Sequence, residues 1–400
     1  KKSIQIIRKT PEAYAERGWD VDYIVLRDTS KHGNYFYEDT FNPNGINVKR
    51  LYYKFPFVLN YIKVPLLRTI ANKLISYIGV FQLVFFAFKQ LKQKQYMAVY
   101  GYEHIGVLAV LILKVMGKIR SCIKISRFQG TWLTLYYKQK NYLKLILNFD
   151  FYLAMRFRSD ICIMTDDGTQ GDYMMSKIQP RHKNFKFWLN GVDQPKTNND
   201  SIEKIRSEYL LGEKVCIMSI SRLEEWKRVD RAITIINQFV KDYKVYRNKV
   251  AFLIVGDGNS KKQLELMVKS LGVDDIVKFV GPVSNSEIGN YLSVSDVFMS
   301  FYNLSNVGNP LLEAIRSNKL IMTLANGDTD KWIKHNKNGF IYDPDSEYIK
   351  SASRDLLNII ENEDLRVSIK NNLKSLADNK LWTWNERFDK EVSLIESTLI

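Results

Sequence analysis

Short apolar runs alternate with stretches of helical periodicity along most of the chain. Runs of Val, Ile and Phe that are apolar on both faces are typical of strands in parallel sheets covered by helices. The predicted strands are Asp20–Leu26, Tyr96–Tyr100, Ser121–Ser126, Ile161–Met164, Val215–Ser219, Val250–Val255, Ile276–Val280, Val297–Ser300 and Leu320–Thr323. A helix over Ile105–Met116 separates the second and third of these strands. This alternation predicts a doubly wound α/β architecture.

The beginning of the chain allows two interpretations. Lys2–Gly18 has the pattern of a helix that restarts at Thr10, where Pro11 fits the first helical position. Alternatively, Ser3–Ile7 is a first strand, which leaves about a dozen residues for the crossover, near the minimum for a parallel connection. We favour the helix. A first strand and its phosphate-side loop are then expected to precede Lys1.

The longest apolar run is Leu74–Phe88. It is shorter than the roughly 20 residues that span a bilayer, and Ser76 and Gln82 interrupt it. We therefore predict a buried helix here and no transmembrane anchor.

Length and charge indicate two different domains. A chain of 400 residues is longer than one core usually serves. The polar, turn-rich segment Asn190–Asp200 predicts a boundary near Pro195. The net charge is +16; residues 1–195 hold 30 Lys/Arg and 14 Asp/Glu, whereas residues 196–400 hold 29 of each. A basic first half predicts an anionic partner: nucleic acid, an acidic membrane or a phosphorylated substrate.

The cysteines favour a reducing, cytoplasmic location. Cys122, Cys162 and Cys216 are far apart, form no CxxC pair, and follow no secretory leader. With only four His in the chain, none at a ligand spacing, a metal site built on these thiols is not expected.

Two strand ends carry candidate phosphate chemistry. Arg222 and Lys227 follow Val215–Ser219, where two cations at the edge of a parallel sheet suit a diphosphate. The plain alternative is a solvated basic turn. Gly256-Asp257-Gly258 follows the next strand, and glycines there permit close approach of the backbone to a ligand. The alternative is a tight strand–helix turn.

The segment Ser300–Asn318 is the most informative. A strand ends, a Gly308-Asn309-Pro310 loop follows, and a helix opens at Pro310. Free N–H groups and the dipole at a helix start bind anions. Glu313, one turn in, can accept hydrogen bonds from two ribose hydroxyls, or it is a first-turn acid of the helix.

In order and spacing, these motifs resemble those of family 4 retaining glycosyltransferases. The matching segments are Arg222…Lys227, Gly256–Gly258, Gly308–Ala314, Asn338–Pro344 and the turn Asn190–Asp193. The resemblance implies the GT-B fold, an α/β fold with two Rossmann-like domains facing each other across a cleft. It also implies that the final helix crosses back to the first domain. We place the domains at 1–194 (acceptor) and 195–381 (sugar nucleotide), with the returning helix at 382–400.

The same resemblance implies residue roles in the donor site. Arg222 and Lys227 would hold the donor diphosphate, and Glu313 would bind the ribose. The full expected donor set is Gly256, Asp257, Ser305, Asn306, Gly308, Asn309, Pro310, Leu311, Leu312 and Glu313. The family commonly has an acid eight residues before its ribose glutamate; here that position is Ser305. Donor identity is therefore not implied.

In the first domain, two strand-end loops are candidates for the acceptor or sugar side. They supply Glu103 and His104 from one loop, and Arg127, Gln129 and Gly130 from the other. Similar enzymes often have a histidine near one of these loops, a place that His104 or Gln129 could fill; His104 is alternatively a plain helix-start residue. A third loop, Thr165–Thr169, is either on the acceptor side or a structural turn.

No metal or cofactor is expected besides the nucleotide-sugar substrate. Two DxD patterns, Asp20–Asp22 and Asp328–Asp330, are interpreted as coincidence, because the cations for the diphosphate come from side chains and a helix start. Glycoside hydrolysis would need two flanking carboxylates, and no convincing pair is present.

The sequence thus predicts a retaining, metal-independent hexosyltransferase of polysaccharide or glycoconjugate synthesis. The acceptor is expected to be a glycan or lipid-linked. An inactive sugar-nucleotide-binding homologue is the alternative, and a nucleic-acid-binding protein a remote one, since no nucleic-acid motif is found. The oligomeric state stays open. A basic, aromatic stretch is expected to dock on the inner face of the plasma membrane. Its residues are Lys49, Arg50, Lys54, Lys63, Arg68, Lys73, Lys89, Lys92 and Lys94, with Tyr52, Tyr53, Phe55, Phe57 and Tyr61.

Overall fold

A computed structural model describes residues 5–27, 45–52, 58–59, 61–178, 182–344 and 347–399. The chain folds into two compact units. The first comprises Lys1–Asp166, Gln170–Asn190 and Asn385–Ile400, and the second Asp167–Thr169 and Gly191–Trp384. The predicted boundary lay near Pro195, and the units divide between Asn190 and Gly191.

The first unit has two parallel sheets. Its strands are β1 (Val21–Arg27), β2 (Ile46–Tyr52), β3 (Ala98–Tyr102), β4 (Ile123–Phe128), β5 (Ile161–Thr165) and β6 (Asn184–Trp188). β1 pairs with β2, and the other four are ordered β3-β4-β5-β6. Its helices up to residue 178 are α1 (Gln5–Glu16), α2 (Pro65–Gln93), α3 (Glu103–Val115), α4 (Leu133–Lys138), α5 (Tyr142–Leu147), α6 (Phe149–Arg156) and α7 (Gly171–Ile178).

The second unit is built on one six-stranded parallel sheet. Its strands are β7 (Val215–Ile220), β8 (Val250–Val255), β9 (Val277–Gly281), β10 (Val297–Ser300), β11 (Leu320–Leu324) and β12 (Phe340–Tyr342). Their order is β12-β11-β10-β7-β8-β9, so β7 and β10 meet where the direction of winding reverses. The helices are α8 (Asn199–Glu208), α9 (Val229–Asp242), α10 (Lys261–Leu271), α11 (Ile288–Val294), α12 (Asn309–Arg316), α13 (Tyr348–Glu361) and α14 (Glu363–Lys380). In open α/β sheets, ligands bind beside such a reversal.

Each predicted strand is confirmed to within two residues at its ends. The interpretation of the beginning as a helix is confirmed by α1, which contains Pro11 and occupies most of the alternative strand Ser3–Ile7. Three strands were missed: β2, β6 and β12. β2 alternates buried and exposed positions around two cations, and β12 has only three residues, so neither gives a continuous apolar signal.

The final helix, α15 (Trp384–Leu399), belongs to the first unit from Asn385 onward. This confirms that the chain returns there after the second unit. Buried Glu391 anchors the helix: it accepts hydrogen bonds from Tyr14 Oη at 2.9 Å and Tyr100 Oη at 2.8 Å, and Arg387 Nη1 lies 2.8 Å away. Charge-assisted contacts of this kind, shielded from water, fix the position of the helix.

The prediction of a buried helix over Leu74–Phe88 is wrong in its burial. α2 is longer, with 29 residues, and only Ile75, Gly79, Val80 and Val84 are buried. Just 22% of its most apolar window is buried, and by length and composition the helix could cross a membrane. The apolar helix is thus longer than the run Leu74–Phe88 from which it was predicted, so its length does not argue against a membrane span. Apolar composition alone does not distinguish a helix inside a core from one with an exposed apolar face.

Candidate functional site

The site in the second unit is centred on Lys227. After β7, a short loop leads into a 3₁₀ turn, Glu225–Lys227, and α9 begins two residues later. The link is Arg228 in the left-handed conformation, with φ 46°. This tight path turns the Lys227 ammonium onto two rings: Nζ lies 4.0 Å from the Trp226 ring centroid and 3.6 Å from that of Tyr302. A cation over aromatic faces is stabilised by their negative charge density.

The electrostatics make Lys227 unusual. Burial of its ammonium, reinforced by the positive charge of Arg222, lowers the pKa of Lys227 to about 7, although Asp167 pulls it upward. Arg222 is exposed, and its guanidinium carbon lies 5.9 Å from the Trp226 ring centroid. An anion brought to this place would favour the protonated form of Lys227 and oppose both effects that lower its pKa.

The segment after β10 is fixed against this cation. Asn303 N donates to Trp226 O at 3.0 Å, and Tyr302 Oη donates to Ile220 O at 3.3 Å. Two predicted parts of the site, the cation of the β7 loop and the segment that leads to Gly308, are therefore brought together in one unit.

Within this segment, Ser305 and Asn306 are both buried. Asn306 accepts from Tyr302 N at 2.9 Å and donates to Leu324 O at 3.0 Å, so its amide holds the loop to the end of β11. Ser305 Oγ accepts from Val307 N at 3.1 Å. Both side chains therefore shape the loop: the Ser305 hydrogen bond stays within it, and the Asn306 hydrogen bond to Leu324 ties it to β11.

The start of α12 has the form of an anion site. Gly308 at its N-cap is extended, and no side chain caps the helix. Leu311 and Leu312 are buried in the core, so they could meet a donor only through their backbone. Glu313 is half-buried, one turn into the helix. The N–H groups and the dipole of α12 thus supply positive potential on the same segment that Tyr302 joins to Lys227.

Gly256 and Gly258 are required by chain packing. A Cβ on Gly256, whose φ is 139°, would lie 1.8 Å from Ser221 O, and one on Gly258 would lie 2.5 Å from Leu223 O. Asp257 O accepts from Leu223 N at 2.9 Å. The backbone that these glycines let approach is the loop that carries Arg222, so they position the site indirectly.

The loop Asp167–Thr169 joins the second unit and was left unassigned by sequence reasoning. Asp167 Oδ1 accepts from Thr169 N at 3.1 Å and Thr169 Oγ1 at 2.6 Å. A Cβ on Gly168 would lie 2.0 Å from Ser305 Oγ. The loop therefore packs on the Ser305 segment, with Asp167 near enough to raise the pKa of Lys227. Two features of the sequence could have identified this loop as part of the site: its position at the end of a strand and its glycine. Trp226 and Tyr302, whose rings lie beneath Lys227, had no such feature except that they are close in sequence to predicted site residues.

In the first unit, His104 lies at the start of α3 with its ring 5.0 Å from that of Phe151. Its Nε2 is 3.8 Å from Asp150 Oδ2, and Lys73 Nζ pairs with Asp150 Oδ1 at 2.6 Å. Burial lowers the pKa of His104 to about 4; Asp150 opposes the shift and Lys73 adds to it. The imidazole is therefore neutral at physiological pH, and it contacts the α6 carboxylate from its place at the helix start.

Glu103 and Gln129 connect the ends of β3 and β4 through a hydrogen bond. Glu103 has φ 55° and accepts from Gln129 N at 2.8 Å. Gln129 Oε1 accepts from Asn190 at 3.3 Å, while its buried Nε2 has no hydrogen-bond partner among the described residues. Gly130 follows with φ 110°. Of the predicted acceptor residues, Gln129 thus presents a donor group that a ligand could satisfy.

The prediction that Arg127 contacts the acceptor is corrected by its burial. Its side chain is 0% exposed. It contacts Glu391 at 3.2 Å, Thr165 Oγ1 at 3.2 Å and Asn190 Oδ1 at 3.3 Å. Arg127 therefore joins β4 to α15 inside the first unit, a structural role that a charged residue on a strand does not reveal in sequence.

Of the first DxD pattern, Asp22 is held by Tyr96, Asn47 and Lys94, the last at 3.4 Å. In the second, Asp328 pairs with Lys331 at 3.1 Å. Among the residues that the structure describes, no group of three or more His, Cys, Asp or Glu is arranged to hold a metal ion.

Comparison with known proteins identifies the second unit most clearly. Residues 201–376 match the family model "Glycosyl transferases group 1". Over 138 residues the chain is 27% identical to alpha-monoglucosyldiacylglycerol synthase of Acholeplasma laidlawii, covering 34% of this chain and 33% of that protein. Over 162 residues it is 26% identical to a GDP-mannose-dependent alpha-(1-6)-phosphatidylinositol monomannoside mannosyltransferase of Mycobacterium tuberculosis, covering 38% and 41%. The chain thus matches less than half the length of these relatives.

Solved structures share the fold over nearly the whole chain. Anabaena HepE in complex with UDP has a TM-score of 0.67 at 18% identity, covering 97% of this chain and 94% of that one. Sucrose-phosphate synthase from Thermosynechococcus elongatus has a TM-score of 0.72 at 14% identity, covering 98% and 92%. Residues 201–376 are thus similar to the glycosyl transferases group 1 family, and the chain has the GT-B fold.

Proposed function

We propose that the protein is a retaining, metal-independent glycosyltransferase that moves a hexose-type sugar from a nucleoside diphosphate donor to a glycan or lipid-linked acceptor. The observation that carries the proposal is Lys227, an ammonium of lowered pKa held over the rings of Trp226 and Tyr302. Tyr302 lies on the segment that leads to the start of α12, where no side chain caps the helix. The UDP bound to HepE and the glycolipids named for the matched relatives support a nucleotide-sugar donor and a lipid acceptor.

In this proposal, catalysis is stabilisation of the leaving group. Breaking the bond between the anomeric carbon and the diphosphate builds negative charge on the phosphate. Lys227, Arg222 and the N–H groups of α12 meet that charge, which leaves no step that requires a metal ion or a cofactor. Family resemblance supports retention, with the leaving phosphate taking the acceptor proton on the same face of the sugar.

The donor sugar is the part of the proposal that the residues constrain least. Ser305 stands where the family commonly has an acid, and its Oγ accepts from Val307 N within the loop. This observation also favours the rival reading, a homologue that binds a sugar nucleotide without transferring the sugar. Since the free Cys122, Cys162 and Cys216 are all buried, we place either protein in the reducing cytoplasm.

Transfer assays separate the two functions. Thermal shift with a panel of UDP- and GDP-sugars identifies the donor, and release of nucleotide is then measured with diacylglycerol-type and glycan acceptors. An active enzyme gives a product that depends on the acceptor, with the donor's anomeric configuration retained by NMR, and Lys227→Ala lowers its formation. Donor binding without turnover on any acceptor would support the inactive homologue, and binding of no sugar nucleotide would refute both.

A further inference from the structure

α2 carries an exposed apolar stripe along one side. Leu67, Ile70, Leu74, Phe81 and Phe85 follow each other at i, i+3, i+7, i+14 and i+18, the spacing of one helical face. All five are exposed, Phe81 to 65% and Leu74 to 59%. We call these five residues the α2 stripe. A stripe of large apolar side chains open to solvent marks a surface that binds something apolar.

The opposite side of α2 is packed. Val80 and Val84 lie in a buried cluster with Val107 of α3 and Met164 of β5. Because this side is fixed in the core of the first unit, the helix cannot be surrounded by lipid on all sides. The length and composition that would suit a membrane span therefore fit a helix that lies along a bilayer surface, with the α2 stripe facing it.

A neighbouring element has a similar face. On α5 and α6, Tyr142, Ile146 and Phe149 are exposed at i, i+4 and i+7. Lys73 of α2 reaches the junction of these helices, with Nζ 2.6 Å from Asp150 Oδ1 and 3.3 Å from Asn148 Oδ1. Exposed apolar residues therefore extend from α2 to the helices attached to it.

The chain segment that contains α2 carries charge of one sign. Residues 40–102 contain nine Lys or Arg and no Asp or Glu. Lys63 and Arg68 lie at the start of α2, and Lys89 and Lys92 at its end. Lys89 Nζ is 5.6 Å from the ring centroid of Phe85, so cation and stripe are adjacent. Of the predicted docking residues, Tyr53, Lys54, Phe55 and Phe57 lie outside the described residues.

We propose that the α2 stripe enters the interface of a lipid bilayer while the flanking cations bind its anionic headgroups. Apolar insertion with cations at both ends suits an acidic leaflet. A second copy of the chain fits less well: a symmetric contact would bring two predominantly basic surfaces together. This inference rests on exposure and charge and is independent of the proposed activity.

The test is vesicle co-sedimentation with three variants. Phosphatidylcholine vesicles with and without phosphatidylglycerol are compared for the parent chain, Phe81→Glu/Phe85→Glu, Lys89→Glu/Lys92→Glu and Leu266→Glu. Leu266 is the matched control, since it is 69% exposed on α10 of the second unit. The parent and the Leu266 variant should bind vesicles only when phosphatidylglycerol is present, and each double variant should bind about tenfold or more weakly. UDP binding, measured on the same variants, should be unchanged.

A fluorescent label reports insertion directly. The native cysteines are buried, so a single Phe81→Cys accepts an environment-sensitive dye, with Leu266→Cys as its control. We expect a blue shift at position 81 on adding phosphatidylglycerol vesicles and none at 266. No vesicle binding, or a blue shift without vesicles that grows with protein concentration, would overturn the proposal; the latter would identify a second copy. If the parent chain does not bind UDP, the proposed function is contradicted, whereas the conclusion from vesicle binding is unaffected.

Discussion

Each unit shields a cation from water, fully for Arg127 in the first and partly for Lys227 in the second, and the two surroundings are opposite in kind. In the first unit, Arg127 has a carboxylate at 3.2 Å and two neutral oxygens within 3.3 Å. In the second, Lys227 lies over two aromatic rings, with Arg222 lowering its pKa further. Arg127 already has the anion that a buried cation requires, whereas Lys227 lies where an incoming anion would be stabilised.

In our proposal, this difference separates a structural cation, Arg127, from a ligand-binding one, Lys227. A buried charge with a complete set of partners contributes to the stability of the fold, and removing a partner is costly. A buried charge whose pKa is strongly shifted marks a candidate functional site. Sequence alone gave both residues the same appearance: a cation at the end of a parallel strand.

The largest effect is expected from Glu391, the carboxylate of the structural cluster. Glu391→Gln leaves Arg127 and Arg387 buried without their counter-charge and should cost about 3–5 kcal/mol of unfolding free energy. Denaturant unfolding measures it, with Glu396→Gln on the exposed side of α15 as the control. A loss no greater than that of the control would mean that the cluster does not hold the helix.

The same carboxylate predicts how stability responds to acid. Burial alone would raise the pKa of Glu391, but Arg387 and Arg127 outweigh it and hold the pKa below the usual 4.5. Its contribution is therefore present above that value and is lost as the pH falls toward the lowered pKa. The parent should lose stability in this range, and Glu391→Gln should show a flatter profile.

Removing the proposed diphosphate-binding cation, Lys227, should have the converse signature. Lys227→Ala loses a charge-assisted contact to the diphosphate, worth about 1.5–3 kcal/mol, or roughly tenfold to a hundredfold in UDP affinity. Its unfolding free energy should not fall as that of Glu391→Gln does, because the native fold disfavours the charge. Calorimetry and denaturation measure the two quantities, with exposed Lys269→Ala as the control. UDP affinity equal to that of the parent would place the site elsewhere.

The loop beneath Ser305 is expected to be intolerant of a side chain. Gly168→Ala would place a Cβ 2.0 Å from Ser305 Oγ at φ 73°, and we expect a loss of about 1–3 kcal/mol of stability together with weaker UDP binding. Gly212 also has a positive φ, 47°, but nothing lies within 4 Å of its Cβ position. Gly212→Ala thus measures backbone strain alone. Equal effects of the two substitutions would show that the contact with Ser305 is unimportant.

The smallest effect is expected from chelation. In the proposed mechanism the diphosphate is met by side chains and a helix start, so nucleotide release should be unchanged by EDTA within the error of the assay. Activity that is lost in EDTA and restored by Mg²⁺ or Mn²⁺ would require a metal in the site.

The sequence predicted the fold more completely than it predicted the residues of the site. Strands such as β8 and β10 can be predicted from sequence because both of their faces are covered, so that nearly every residue is apolar. The burial of α2 was mispredicted since its two sides are almost equally apolar. Lys227 was identified by its place after β7. The rings beneath Lys227, and the packing of the Asp167 loop inside the second unit, depend on segments distant in the chain, which periodicity does not reveal. Arg127 was misassigned because its partner, Glu391, lies 264 residues away.

The measurement that tests the role of Lys227 most directly is proton uptake on UDP binding. With a free pKa of about 7, Lys227 is largely neutral at pH 8 and must be protonated to pair with the diphosphate. Calorimetry at pH 8 in two buffers of different ionisation enthalpy should therefore show uptake of about one proton per UDP. Above pH 7, affinity should fall about tenfold per pH unit, and Lys227→Met should abolish the uptake. Tight UDP binding with no proton uptake by the parent chain would contradict the assignment of Lys227 as the diphosphate-binding cation.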